Sequence, residues 1–344
     1  MTSMMGAMPR IETHCRAIDE LMDGGLPTGT ITQIFGEKAL GKSIISFQTA
    51  CAAVAGGMSA VVLDTEQSYA SYLVPYWQPR FSKRFGREIK VYRLKVEKSP
   101  KPAGKKKPVT RGEVISAFSN TLDQLGVFYT DSHLGSLADI VSPELHVELP
   151  EDKGPSIMVL EIPEVTDLLA LHGVDAKKQV SEGGGRVELR LQSTPVYQSI
   201  LYNVMQKTGA KLLVYDSVSA PFKAAFANTA DLPARSAGLA MILSHAQRLC
   251  VEFGLAIEVV SHVTINPISE WDRRPYGGII LGHEAKFSLE LTKSTAKRNN
   301  KGSPAAINPE EEKVCTKAFW VARHPAMEEY KSFGYSNQDE EGFH

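Results

Sequence analysis

"QIFGEKALGKSIISFQ", residues 33–48, runs from a β-prone stretch through a glycine-bounded loop and a Lys-Ser pair into a helical stretch. Gly36, Gly41, Lys42 and Ser43 fit the pattern GxxxxGK[ST], and the flanking strand and helix supply the context that the pattern needs. Glycines let a loop curl so that successive N–H groups converge on phosphate oxygens, and the following helix adds the positive end of its dipole. Gly36, Glu37, Lys38, Ala39, Leu40, Gly41, Lys42, Ser43 and Ile44 therefore form a candidate nucleotide-binding segment. Lys42 would reach the β- and γ-phosphates of ATP, and Ser43 would offer an oxygen to Mg²⁺.

Strand and helix alternate outward from this loop. "ITQIF" is a strand; "KSIISFQTACAAVA" is a helix closed by Gly56 and Gly57; "SAVVLDTE" is a strand, and a helical stretch follows from about Tyr69 to Phe85. "KVYRL" (90–94) is a short strand. The rhythm resumes with "TPVYQSILYNVMQKTG" as helix, "KLLVYDSVS" as strand, "LPARSAGLAMILSHAQRLCVEFG" as a long helix and "LAIEVVSHV" as strand. "AKFSLELTKS" and "KVCTKAFWVARHP" read as antiparallel strands. Near-continuous apolar strands joined by helices imply an α/β fold: a mainly parallel sheet with helices on both faces, and antiparallel strands at the C-terminal side.

Between the two blocks the pattern breaks. Residues 95–111 carry Lys95, Lys98, Lys101, Lys105, Lys106, Lys107 and Arg111 against the single acid Glu97, with three prolines, as a solvated loop would. "GEVISAFSNTLDQLGVFYT" reads as helix, and "SIMVLEIPEVTDLLALHGV" as a strand followed by a helix, before "SEGGGR" (181–186). The expected organisation is a core over 11–94 and 191–335, an insertion over 95–190 holding a basic linker and a small α/β subdomain, and a frayed acidic tail over 336–344.

The formal net charge of −1 gives no whole-molecule attraction to nucleic acid, so such binding would rest on local clusters. Cys15, Cys51, Cys250 and Cys315 are far apart and form no CxxC pair, which suits reduced thiols. No secretory leader or membrane-length apolar run is present, and the expectation is a cytoplasmic protein without a membrane partner.

A phosphate loop of this kind works with acids that orient the metal and polarise water. "LLVYDS" ends a strand on Asp216 and "VVLDTE" leads to Glu66; both belong to the strand rim where parallel α/β sheets bind ligands. Either acid alone is equally suited to capping a helix.

Taken in order, "GGLPTGTITQIFGEKALGKS", "VVLDTEQSY", "LLVYDS", "LPARSAGLAMILSHAQRLCVEFGLAIEVVSHV" and "YGGIILGHEAKFSLEL" resemble the ATPase core of the RecA/RadA recombinase superfamily, on the side of the RadB-like archaeal RadA paralogues. The resemblance covers roughly 11–94 and 191–335 and implies a RecA-like P-loop NTPase core. It implies that Glu66, with Lys42, is catalytic as the water-polarising carboxylate, that Asp216 joins Ser43 on the metal, and that His262 and His283 sense the nucleotide state. Each histidine equally suits a satisfied buried or loop imidazole. His324 and Pro325 resemble a segment that caps ATP on a neighbouring subunit, implying a homo-oligomer or a recombinase partner.

The resemblance also implies contact with single-stranded DNA. Arg273 and Arg274 would pair with phosphates and Trp271 or Tyr276 would stack on a base, with Lys223 and Arg235 beside the first loop. An ordinary exposed turn fits residues 264–278 as well. Little chain precedes Ile11, and the arginines that clamp the base in that family are replaced in "DTEQSYASYL". Strand exchange is therefore not expected. The implied function is a slow, DNA-dependent ATPase assisting recombination and repair; the alternatives are a nucleotide-gated adaptor without significant turnover and a KaiC-like regulatory ATPase.

Overall fold

The computed structural model describes residues 9–98, 145–152, 154–180, 187–225, 232–266, 269–276, 278–293, 297–298, 304–305 and 316–344. Its centre is one large sheet. The strands are β1 (Ile31–Gly36), β2 (Ala60–Asp64), β3 (Val91–Lys95), β4 (Ile157–Glu161), β5 (Leu212–Asp216), β6 (Ala256–Asn266), β7 (Ser269–Pro275), β8 (Phe287–Lys293), β9 (Thr316–Arg323), β10 (Phe333–Asp339) and β11 (Gly342–Phe343). Their spatial order is β11-β10-β9-β8-β1-β6-β5-β2-β4-β3, with β7 paired to β6.

From β3 across to β8 every pairing is parallel; the β8, β9, β10 and β11 pairings are antiparallel, as is β6 with β7. This is the mainly parallel sheet with antiparallel strands at its C-terminal side that the sequence predicts. "AKFSLELTKS" becomes β8, which is parallel to β1 on one side and antiparallel to β9 on the other.

Side chains of successive strand residues enter two cores, as the two-residue strand period requires. Ala60, Val62, Leu212 and Val214 face one core with Phe47 of helix α1 (Lys42–Ala55) and Trp77 and Phe81 of α2 (Val74–Arg84). Val61, Leu63, Leu213 and Tyr215 face the other, with α3 (Val165–Leu171), α4 (Ile200–Thr208) and α5 (Leu232–Phe253). Burying both faces explains why these strands contain almost no polar residue before their rim.

Two expectations change. Ile157–Glu161, assigned by the sequence reading to an inserted subdomain, is β4 of the main sheet, wedged between β2 and β3. Its run "IMVLE" is apolar enough to be covered on both faces, and α3 packs with the core of the 200s helices. The frayed tail is also corrected: β10 pairs with β9, β11 folds back on β10, and Phe343 is fully buried against Phe319. The helix expected in "GEVISAFSNTLDQLGVFYT", most of the basic run and the "PEEE" loop lie outside the described residues.

Candidate nucleotide site

β1 delivers the chain to the centre of the sheet between β6 and β8. At Gly36 the neighbouring strand is so close that a Cβ would lie 2.4 Å from the Leu291 carbonyl oxygen, so only glycine lets the backbone pass. Gly41, at φ 99°, turns the loop into α1 and offers no capping side chain to the helix amides. Those amides therefore remain available to an anion at the positive end of the helix.

Lys42 opens α1 and is almost wholly buried. Its Nζ donates to the carbonyls of Gly36 at 3.0 Å and Glu37 at 2.6 Å. Burial lowers the ammonium pKa, opposed by the charges of Asp216, Glu66 and Glu37. The lysine is thus folded over its own loop.

The two acids arrive on adjacent parallel strands, with Asp216 in register with Asp64 at the rim. Asp216 is buried, and burial pushes its carboxyl up to about 8, aided by the charges of Glu66, Asp64 and Glu258 and opposed by the Ser43 hydrogen bond. Its Oδ2 has no hydrogen-bond partner. A buried orphan carboxylate oxygen beside a serine hydroxyl is a hard-oxygen pair suited to Mg²⁺, which keeps most of its coordination for water and phosphate. Asp64, by contrast, accepts from the amides of Ser68 at 3.2 Å and Tyr69 at 3.0 Å, and so caps the helical turn that follows.

Glu66 sits one turn beyond β2. Its Oε1 accepts from Ser217 Oγ at 2.8 Å and lies 2.8 Å from His262 Nε2. The carboxyl is held below its ordinary range, first by the His262 hydrogen bond, against the opposing effect of burial. The strand ends are latched beneath it: Thr65 Oγ1 donates to the Ser217 carbonyl at 2.7 Å and accepts from the Ser217 amide at 2.9 Å. Lys42, Ser43, Glu66, Asp216 and His262 are thus gathered at one rim.

The remaining predicted residues are placed differently. His283 is exposed in the last turn of α6 (Gly278–Glu284). His324, expected to reach a neighbouring subunit, is buried in its own chain with its ring edge-on to Phe287 at 5.0 Å, and its Nδ1 accepts from the Ala326 amide; Pro325 beside it is exposed. Lys223, Arg235 and Tyr276 come together: the Arg235 guanidinium donates to the Tyr276 hydroxyl at 2.7 Å and lies 4.7 Å from its ring, and Lys223 Nζ lies 6.0 Å from the same ring. Trp271, Arg273 and Arg274 fall on β7, with side chains outside the described set.

Sequence reasoning missed Ser217, although it directly follows Asp216, and Glu258, a lone acid in the apolar run "LAIEVV". Glu258 is fully buried beneath α1; Ser46 Oγ donates to its Oε1 at 2.6 Å, and Oε2 has no partner.

A family model described as Rad51 matches residues 6–76 and 196–318. Over 56 residues the chain is 45% identical to the DNA repair and recombination protein RadB of Halobacterium salinarum, covering 16% of this chain and 24% of that protein. It is 35% identical over 95 residues to the DNA repair protein rhp51 of Schizosaccharomyces pombe, covering 26% of each. It is 32% identical over 88 residues to the human meiotic recombination protein DMC1/LIM15 homolog, covering 24% of this chain and 26% of that protein. These matches span only about a quarter of the length of the curated relatives. In fold, a crystal structure titled as the RadB recombinase aligns with 97% of this chain and 98% of its own, at a TM-score of 0.50 and 15% identity.

Proposed function

Since the chain belongs to the Rad51 family, we propose that it binds Mg²⁺·ATP at the 36–44 loop, hydrolyses it slowly, binds single-stranded DNA and assists recombination and repair. The observation that carries this reading is the convergence of Lys42, the Ser43–Asp216 pair and Glu66 at one strand rim. The match over 6–76 and 196–318 supports an ATPase core drawn from both ends of the chain, with β4 and α3 adding to the same sheet and core from the stretch between.

Mg²⁺, held by Ser43 Oγ and Asp216, would neutralise charge on the β- and γ-oxygens. Lys42 exchanges its two loop carbonyls for phosphate oxygens, a substitution that keeps the buried ammonium paired. Glu66 orients the attacking water and accepts its proton.

Single-stranded DNA would meet the Tyr276 ring, with Arg235 and Lys223 neutralising phosphates. The partner is a second copy of the chain or another recombinase subunit, engaged near exposed Pro325. Buried, unpaired Cys15, Cys51 and Cys250 support a reducing compartment such as the cytoplasm. Among the described residues no helix is long and apolar enough to cross a membrane.

The test is steady-state ATP hydrolysis by the full chain and by Glu66→Gln, with and without an oligonucleotide. DNA-stimulated turnover lost in Glu66→Gln supports the reading. Turnover at the parent rate in that variant refutes the assigned chemistry, and nucleotide binding without any turnover returns the chain to the adaptor alternative.

A further inference from the structure

Glu66 is held from two strands at once. Ser217 follows β5, and it is itself fixed by its two bonds to Thr65 and by the Ala220 amide, which donates to its Oγ at 3.2 Å. His262 belongs to β6, opposite Gly36 of β1, so it shares the register of the strand that feeds the phosphate loop. The His262 carbonyl accepts from the Tyr276 amide at 2.6 Å, which anchors the residue on its other side.

Both side chains converge on the same oxygen, Oε1, at 2.8 Å. An ionised carboxylate only accepts hydrogen bonds, so the imidazole nitrogen facing it carries the proton. With Oε1 occupied twice, Oε2 is the oxygen left to engage water.

We propose that His262 is a positioning residue for Glu66: donating from Nε2, it fixes Oε1 relative to the phosphate loop and presents Oε2 to the attacking water. This rests on the reading of Glu66 as the water-polarising carboxylate. It gives His262 a partner in the protein itself rather than on the nucleotide. The titratable groups around this carboxylate are Lys42 from α1, Asp216 from β5 and His262 from β6. Of these, His262 has the largest influence in keeping Glu66 ionised.

The experiment compares the full chain with His262→Ala, His262→Gln and Glu66→Gln. It measures Mg²⁺·ATP dissociation constants, kcat across pH, and the carboxyl ¹³C titration of Glu66 in glutamate-labelled protein. Loss of a hydrogen bond to a charged group typically costs on the order of tenfold or more. We expect His262→Ala to lower kcat about tenfold while leaving the dissociation constant within about twofold. The acid limb of kcat, and the Glu66 carboxyl titration with it, should move to higher pH. His262→Gln, which keeps a donor, should recover most of the lost kcat.

An unchanged Glu66 titration in His262→Ala overturns the proposal whether or not turnover is measurable. Parallel losses in kcat and nucleotide affinity also overturn it, because they mark a purely structural role. If Glu66→Gln keeps the parent kcat, the underlying reading fails and the proposal with it. If Glu66→Gln is inactive and His262→Ala matches the parent, only the proposal falls.

Discussion

Replacing Gln48 with leucine should free the C-terminal hairpin. Gln48 lies fully buried on α1, and its Nε2 donates to the carbonyls of Thr13, His14 and Phe343 at 3.0, 2.9 and 3.0 Å. Its Oε1 accepts from the Phe343 amide at 2.8 Å and from Arg84 at 3.3 Å. Arg84 also donates to the Phe343 and His14 carbonyls, so those two acceptors keep a partner in the variant. The Phe343 amide and the Thr13 carbonyl would lose theirs. Two buried groups left unsatisfied at about 1–3 kcal/mol each, less what local relaxation returns, predicts a loss of about 3 kcal/mol.

That loss corresponds to roughly 100-fold faster hydrogen exchange in peptides covering β10 and β11, read by mass spectrometry under native conditions. The site should respond as well, because the Phe343 ring backs the phosphate loop: a Cβ at Gly41 would lie 2.9 Å from it. Weaker Mg²⁺·ATP binding should therefore accompany the faster exchange. Exchange within about threefold of the parent would refute the reasoning that Gln48 holds the hairpin.

Glu258→Gln should alter how stability depends on pH. Burial pushes the Glu258 carboxyl from 4.5 up to about 7, so between these values the folded chain keeps a proton that the unfolded chain has released. Stability contributed by this group is thus present at low pH and lost as pH rises through that window, by an upper limit of ~3 kcal/mol. In guanidinium melts the variant should match the parent near pH 5 and exceed it near pH 8; an unchanged slope counts against an ionising Glu258. Tyr215→Phe removes the hydroxyl that lies 3.1 Å from His172 Nε2, where His172 Nδ1 already lacks a partner. It should cost about 1–2 kcal/mol in unfolding with no change in nucleotide affinity, and a change in affinity would contradict the separation of this cluster from the site. Arg235→Ala should reduce the salt slope of oligonucleotide binding by about 0.7; an identical slope across a salt series would remove Arg235 from the DNA-binding reading.

The phosphate loop, the alternating strands and the rim positions of Glu66 and Asp216 are legible because each depends on a local pattern: glycine spacing, the two-residue strand period, or an acid ending an apolar run. What escapes the sequence is set by partners far apart along it. "DEE" at 339–341 reads as a frayed end, since nothing local announces that Arg84 holds Glu341 and that Gln48 and Arg84 hold Phe343 just beyond it. "IMVLE" is plainly a strand, but its place between β2 and β3 depends on which parallel neighbours close the sheet. His262 stands in a sensor-like position by resemblance, yet its contact is with Glu66, and only the alignment of β6 beside β1 brings the pair together.

Nucleotide binding through Lys42 of the phosphate loop underlies every role proposed above. Equilibrium titration of Mg²⁺·ATP into the full chain and into Lys42→Ala tests this most directly. We predict saturable one-site binding by the parent and at least about tenfold weaker binding by the variant, about 1.4 kcal/mol or more. Equal affinity in the two proteins, or no binding by the parent, would contradict it.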